Sequence, residues 1–584
     1  MKFLFGDGYK NNRENNSCIC ADTSDLYDNK KGYGFLTDKN AEIPGISNSL
    51  TFPGYYENEN VIELQKSESG IYAVQDEKLS ELCSENSRLI PVSFRADAPE
   101  YGNYRVRVEI HGDGEVLIYA GTRRLVYREI LGELKDVTVE FVMNLSRIIP
   151  RGYSFVHERK AVYVTVFGKN VVLKSIEFEK TDCPTIFICG DSTVTDQAAD
   201  VPYFPGTSYS GWGQMLPEFL KGIAVSNHAH SGLTSETFRT EGHYKIAYDM
   251  MKKGDFIMFQ FAHNDQKLAH LKAFEGYYEN IVTYIKEAEE KQVNPILVTP
   301  LARNTWKADT AEYNDLLIEY AAAIKDIGEK YRVPVVDLHE FSMNEVKRDG
   351  LESSKRFYFP KDYTHTNDFG AYKMADFIAK ALARFKETPE KYEGNYDVIS
   401  DAAVLTRAKW EVNEVPQIPE IPLKFKHSEN TEKLSGTADI SVERPDDITL
   451  RHEALGFVIK TAKFFPTNVF NDTYDDIVGH ETYAGTVECA YQNGIIPAGM
   501  ITDKKFYPEN PVTLEDFICF LMGGYKSRRN LPESVSCSYD NKTHDYAREF
   551  VRAAVTLKIL PEGSDLNKTL TRREAMEYCN KISL

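Results

Sequence analysis

Apolar and polar positions alternate along Tyr104 to Ile110, Val137 to Val142 and Ala161 to Phe167, with Gly and Asp between the runs. A period of two is that of a strand with one buried face, so the pattern predicts an antiparallel β-sandwich over 1–180. The pattern then changes. Thr185 to Cys189, Phe256 to Phe261, Pro295 to Thr299 and Val333 to Asp337 are short, largely apolar runs. Between them lie stretches with apolar residues every three or four positions, Tyr277 to Lys291 and Ala311 to Tyr331, and a further one from Phe369 to Phe385. Strands buried on both faces and separated by helices predict a parallel sheet, hence an α/β three-layer domain over 184–386.

A segment rich in Glu and Pro follows, including Val415 to Pro422, and reads as an extended linker over 387–434. The tail, 435–584, repeats itself. Ile448 to Ala454, Val512 to Phe517 and Leu570 to Ala575 each place a Thr ahead of a helical pattern, and Asp516 and Glu574 stand three residues after their Thr, as a capping box requires. Ala490 to Pro497 echoes Ala554 to Pro561. The expectation is a small α-helical repeat domain.

With 584 residues the chain exceeds one ordinary core, which predicts three or four domains. Its formal charge of −19 disfavours nucleic acid and acidic membrane surfaces as partners. No run approaches the ~20 apolar residues of a membrane span, and the three apolar residues after Lys2 fall short of a signal-peptide core. Nine cysteines, an odd number, suggest reduced thiols. These last two readings favour a cytoplasmic location, with a secreted or wall-associated one as the alternative.

The chemistry concentrates in four segments of the α/β block. Gly190-Asp191-Ser192 ends the first strand, Asn227 to Phe238 follows the second and contains Gly232, Ala262-His263-Asn264-Asp265 follows the third, and Asp362-Tyr363-Thr364-His365 precedes the last helix. The C-terminal ends of parallel strands share one edge, so these residues meet there. A serine hydroxyl is a poor nucleophile until a base takes its proton and a third group orients that base. Ser192, His365 and Asp362 supply those three types, which proposes an esterase. Each segment also has a plainer reading: a turn for Gly-Asp-Ser, a helix-entry cap for Asp362, a turn glycine for Gly232 and a cap for Asn264. His228, His230 and His263 do not share a metal-binding spacing, and neither a metal nor an organic cofactor is expected. Tyr119 and Tyr127 fit strand packing or a sugar-stacking face, packing being the commoner role.

The four segments resemble the SGNH, or GDSL-type, hydrolases across essentially all of 185–386. The resemblance implies a flavodoxin-like three-layer fold, with Ser192 as nucleophile, His365 as general base and Asp362 as its orienter. It also implies an oxyanion hole made of the Ser192 and Gly232 backbone N–H groups and the Asn264 side chain. Ala262 departs from the glycine usual in the third segment, and a small backbone adjustment is expected there. Gly190 to Asp196, Gly211 to Leu216, Phe261 to Asp265, Thr299 to Arg303 and Asp362 to Ala371 look like the rhamnogalacturonan acetylesterase group. This implies removal of acetyl groups from pectic polysaccharide or oligosaccharide, with His263 and Arg303 lining the sugar site. An acetylesterase for another glycan and a broad short-acyl esterase are the nearest alternatives. A non-catalytic glycan-binding or cell-wall-associated protein is the rival from another class.

Phe5 to Gly8 and Gly32 to Phe35 are similar to a galactose-binding-like domain, and the tail resembles S-layer homology repeats, with Phe470 to Asp472, Phe506 to Pro508 and Thr571 to Glu574 as its markers. The latter resemblance implies a grip on cell-wall polysaccharide.

Overall fold

The computed structural model describes residues 1–6, 18–37, 62–74, 90–121, 123–149, 156–158, 160–168, 170–197, 203–307, 312–417, 444–467, 469, 473–477, 481–533 and 535–582. Asp7, Gly8 and Phe470 to Asp472 lie outside these residues. The chain divides into two units. The first comprises 1–262, 278–305 and 317–428; the second comprises 263–277, 306–316 and 429–584. The expectation of three or four domains is therefore revised. One apolar core in the first unit runs from Phe3 and Val106 through Ile188 and Met258 to Ile378 and Ile399. Two layers that share their buried apolar surface do not separate into domains.

Among the described residues the N-terminal region contributes ten strands: β1 (Lys2–Phe5), β2 (Ile19–Ala21), β3 (Tyr33–Leu36), β4 (Leu64–Lys66), β5 (Ile71–Ala73), β6 (Val92–Asp97), β7 (Gly102–Ala120), β8 (Arg124–Leu145), β9 (Ala161–Phe167) and β10 (Asn170–Lys180). They form one mixed sheet, β2-β1-β10-β7-β9-β6-β3, with β4 and β5 branching from β10 and β8 from β7. The expected pair of separate antiparallel sheets is thus corrected. β7 pairs with β10 over Tyr104 to Asp113 and with β9 over Leu117 to Ala120, and its pairing with β8 shifts register between Gly112 and Gly114. A register shift bends a strand, so this long strand passes from one set of partners to the next and keeps the sheet continuous. β1 and β2 run parallel. Tyr119 and Tyr127 are both buried, which is the packing role.

The second sheet has five parallel strands, β11 (Thr185–Gly190), β12 (Ala224–Asn227), β13 (Phe256–Gln260), β14 (Asn294–Val298) and β15 (Val335–Val336), in the order β12-β11-β13-β14-β15. This is the doubly wound order whose switch point lies beside the first strand, and ligands of such sheets bind at the carboxyl ends there. Helices Gly276–Glu290 and Asp368–Leu382 fall where periodicity put them. The helix expected from Ala311 starts at Ile318 instead, and a polar helix, Leu338–Ser354, was not legible as a periodic pattern. Residues 387–417 are not an extended linker. The helix Asp397–Ala402 buries Ile399, Val404 N donates to Phe219 O at 2.8 Å, and the Trp410 ring stands edge-on to Phe369 and Tyr372. Apolar residues spaced along this stretch hold it against the α/β block, outweighing its prolines.

In the second unit the helices Arg451–Thr461, Leu514–Lys526 and Arg572–Asn580 begin where the three Thr residues stand. Their leading segments close a ring: Thr449 N donates to Leu570 O at 2.8 Å, Leu570 N to Val512 O at 3.3 Å and Val512 N to Thr449 O at 2.9 Å. Thr571 and Glu574 form the reciprocal capping box, whereas Asp516 only donates its backbone N–H to the Oγ1 of its cap Thr513 and turns its carboxylate to Arg451. Thr449 is buried one position before the cap, Leu450. The segment 263–277, read from sequence as part of the α/β block, packs here: Ala269 joins the apolar core of the helices, and Gly485 lies so close to Lys267 that a Cβ would come within 2.9 Å of its backbone.

Candidate active site

β11 is buried throughout and ends at Gly190, where a side chain would collide with Gln260 O and Val194. The next three residues form a tight turn. The Asp191 carboxylate accepts from Thr193 N at 2.9 Å and Thr193 Oγ1 at 2.8 Å, and Gln260 Nε2 donates to the same hydroxyl at 2.6 Å. Gly211 and Gly213 flank the buried Trp212 and lie against the backbone of Val194 and Thr195, leaving no room for a side chain at either glycine. Trp212 Nε1 donates to Gln260 Oε1 at 2.8 Å. The turn is thus braced from below by Gln260 and from the side by the Gly-Trp-Gly segment, with Ser192 half-exposed at its apex.

Asn367 caps the helix Asp368–Leu382, its side chain accepting from Gly370 N at 3.0 Å. Two residues before it, His365 Nε2 lies 2.8 Å from Ser192 Oγ. His365 Nδ1 lies 2.9 Å from Asp362 Oδ2, while Asp362 Oδ1 accepts from Thr364 N at 2.7 Å and His365 N at 3.0 Å. Burial by itself would raise the Asp362 carboxyl. The hydrogen bond and charge of His365, with the two backbone N–H groups, outweigh it and hold the group down to about 2. Asp362 is therefore an anion across the physiological range, and its bond to Nδ1 places the proton there and leaves Nε2 to accept from the serine.

Tyr209, which the sequence reading passed over, stands edge-on to His365 with ring centroids 5.6 Å apart and stacks on Phe359 at 3.6 Å. Its hydroxyl lies 3.4 Å from Asp362 Oδ2. A partly exposed aromatic beside a triad carries no signal of its own in sequence.

The remaining predicted residues fall differently. Gly232, in the loop after β12, is exposed with φ 85° and has open space where a Cβ would stand. Ala262 is buried with φ 138°, a backbone conformation that L side chains rarely adopt, so the expected adjustment takes the form of local strain. His263 and Asn264 belong to the second unit, and Lys267 Nζ donates to Asn264 Oδ1 at 2.9 Å. His263 and Arg303 are both buried. His228 bonds Ser226 Oγ at 2.9 Å, and burial pushes its imidazole down to about 3, so it is neutral.

Residues 188–371 match the GDSL-like lipase/acylhydrolase family. A probable rhamnogalacturonan acetylesterase of Bacillus subtilis, YesY, is 30% identical over 206 residues, which span 34% of this chain and 91% of that protein. The chain belongs to the GDSL-like lipase/acylhydrolase family. This acylhydrolase is a carboxylic ester hydrolase. It is also similar to rhamnogalacturonan acetylesterase RhgT of Bacillus subtilis, 29% identical over 212 residues (34% of this chain, 88% of that protein). A longer match, 25% identical over 371 residues, joins it to the uncharacterized esterase YxiM of Bacillus subtilis, covering 62% of this chain and 86% of that protein. Residues 473–518 match the S-layer homology domain. That match points to the cell surface, which fits the secreted or wall-associated alternative and weighs against a cytoplasmic location.

Proposed function

We propose that this acylhydrolase removes acetyl groups from pectic polysaccharide or oligosaccharide, with Ser192 as nucleophile, His365 as general base and Asp362 as its orienter. The observation that carries the reading is the continuous line from Ser192 Oγ through the imidazole to Asp362, 2.8 Å and 2.9 Å per step. His365 Nε2 takes the Ser192 proton as Oγ bonds to the acetyl carbon. The carbonyl oxygen becomes an oxyanion, held by the Ser192 and Gly232 N–H groups. The imidazolium then protonates the sugar oxygen as the ester C–O bond breaks, which leaves an acetyl-serine. Water gives its proton to His365, adds to the acetyl carbon, and acetate leaves as the serine recovers its proton. The exposed position of Gly232 in the loop after β12 supports its part in the oxyanion assignment. The names of YesY and RhgT support the choice of sugar.

Acetate release from acetylated rhamnogalacturonan, acetylated xylan and 4-nitrophenyl acetate tests both parts. A preference for the pectic substrate that disappears in Ser192→Ala is expected. Equal turnover of all three would replace the pectic reading with a broad short-acyl esterase, and an unimpaired Ser192→Ala would remove the nucleophile assignment.

The S-layer homology match favours a second property, retention on cell-wall polysaccharide through the C-terminal repeats. Cosedimentation of the full chain with purified cell walls is expected, and a chain that stays in the supernatant counts against it.

A further inference from the structure

The hairpin joining β7 to β8 turns through Arg123, whose φ is 58°. A left-handed residue closing a three-residue hairpin loop is usually glycine or asparagine, so an arginine there has to be held in place by what it touches. Arg123 is 1% exposed, and its bonds lead to both reacting groups.

Toward the base, Arg123 Nη2 donates to Asp368 Oδ1 at 2.9 Å, an ion pair with no solvent exposure on either side chain. Asp368 opens the helix three residues beyond His365 and also accepts from Ser210 Oγ at 2.7 Å. Arg123 Nη1 donates to Tyr209 O at 2.9 Å, the residue whose ring abuts His365. Ser210 N donates to Thr366 O at 3.1 Å, and Thr366 Oγ1 donates to Ser210 O at 2.6 Å, which ties this strip to the His365 segment. Toward the nucleophile, Gln214 Nε2 donates to Arg123 O at 2.7 Å, Gln197 N donates to Gln214 Oε1 at 3.1 Å, and Gln197 Nε2 donates to Ser192 O at 2.7 Å.

We propose that Arg123, a residue of the N-terminal sheet, is a positioning residue for ester hydrolysis: it ties the Ser192 turn and the His365 segment to one anchor and so sets their separation. The inference rests on the triad reading above. Proton transfer needs the two groups within hydrogen-bond reach, and a displacement of about 1 Å costs on the order of 100-fold in rate. The plainer account is that Arg123 only neutralises the buried Asp368, in which case catalysis is indifferent to it once the charge is gone.

The full chain separates the two accounts with 4-nitrophenyl acetate as substrate. Arg123→Met combined with Asp368→Asn removes both charges together, so no buried ion is stranded. Gln197→Met cuts the nucleophile side without touching a charge. In each, kcat is expected to fall about 10- to 100-fold while KM changes less than about 3-fold. The acidic limb of the kcat/KM profile is expected to move in the double variant, and Arg123→Lys is expected to recover part of kcat. Parental kcat in either variant, at a thermal midpoint showing that it is folded, overturns the inference. Ser192→Ala is the control. Activity surviving in it defeats the triad reading itself, whereas its inactivity beside unimpaired Arg123 and Gln197 variants defeats the positioning role alone.

Discussion

The N-terminal sheet and the C-terminal repeats both read as accessory modules flanking an α/β block, yet they are built in opposite ways. Most of the sheet's buried apolar residues share the core of the block, a small cluster of Tyr27, Leu36, Ala161 and Tyr163 aside, and the sheet sends arginines into the block: Arg124 Nε donates to Asp196 Oδ2 at 2.8 Å and its Nη1 to Val225 O at 2.7 Å. The repeats keep a core of their own, centred on Phe517, Leu521 and Ala554, and close their three leading segments on one another. Autonomy follows from where the apolar surface is buried, not from how distinct a segment looks along the chain. A region that shares a core also shares its unfolding transition with the chemistry.

The sharpest way to test that division is at the reacting group. Ser192→Ala should lower kcat by up to about a million-fold on any acetyl ester while leaving the unfolding of both regions unchanged, as read by kinetics beside thermal melts. Next come the buried charges. Arg124→Met strands Asp196, and a loss of about 3–5 kcal/mol is expected in the transition that abolishes esterase activity, measured by urea denaturation followed by activity and by circular dichroism. Arg451→Met does the same to Asp516 inside the repeats and should lower a different transition. If the two substitutions shift one common transition equally, the contrast between the regions is wrong.

A smaller effect comes from Glu218, whose carboxyl burial pushes up to about 7 against the pull of Arg407 at 3.3 Å. A raised acid holds its proton in the folded chain while the unfolded chain releases it, so this group makes stability fall as pH rises from about 4.5 to about 7. Glu218→Gln should remove that slope, adding on the order of 1–3 kcal/mol at pH 8 and little at pH 4.5, measured by denaturation at the two pH values. Asp362 acts in the opposite sense. Its lowered pKa contributes stability above the unfolded value that is lost as pH falls through about 2.

The smallest change is at Ala262. Glycine adopts its φ of 138° without strain, so Ala262→Gly should stabilise the chain by about 1 kcal/mol. An unchanged midpoint would mean that the buried methyl contributes as much packing as the backbone loses.

Much of this was legible in the chain. Period two in β7 to β10, apolar runs in β11 to β14 and a Thr ahead of each repeat helix are local signals, because side-chain spacing follows directly from strand and helix geometry. The residues that meet as Ser192, His365 and Asp362 were legible too, since Gly-Asp-Ser and Asp-x-x-His each hold their polar groups within a few positions. The two-sheet expectation failed at Gly112 and Gly114, because a change of partner within one strand leaves its alternation intact. The helix start at Ala311 failed because the apolar spacing continues past the point where backbone hydrogen bonding begins, at Ile318.

Sequence by itself determined the kinds of elements, the family and the short segments that supply the candidate site, all of which depend on residues near one another in the chain. Tertiary structure alone decided that residues 387–417 pack instead of linking, that the Asn264 segment belongs with the repeats, and that Arg123 of the N-terminal sheet braces a serine 69 positions away and a histidine 242 away. Those facts depend on which buried polar groups find partners across the fold, and no spacing along the chain encodes that.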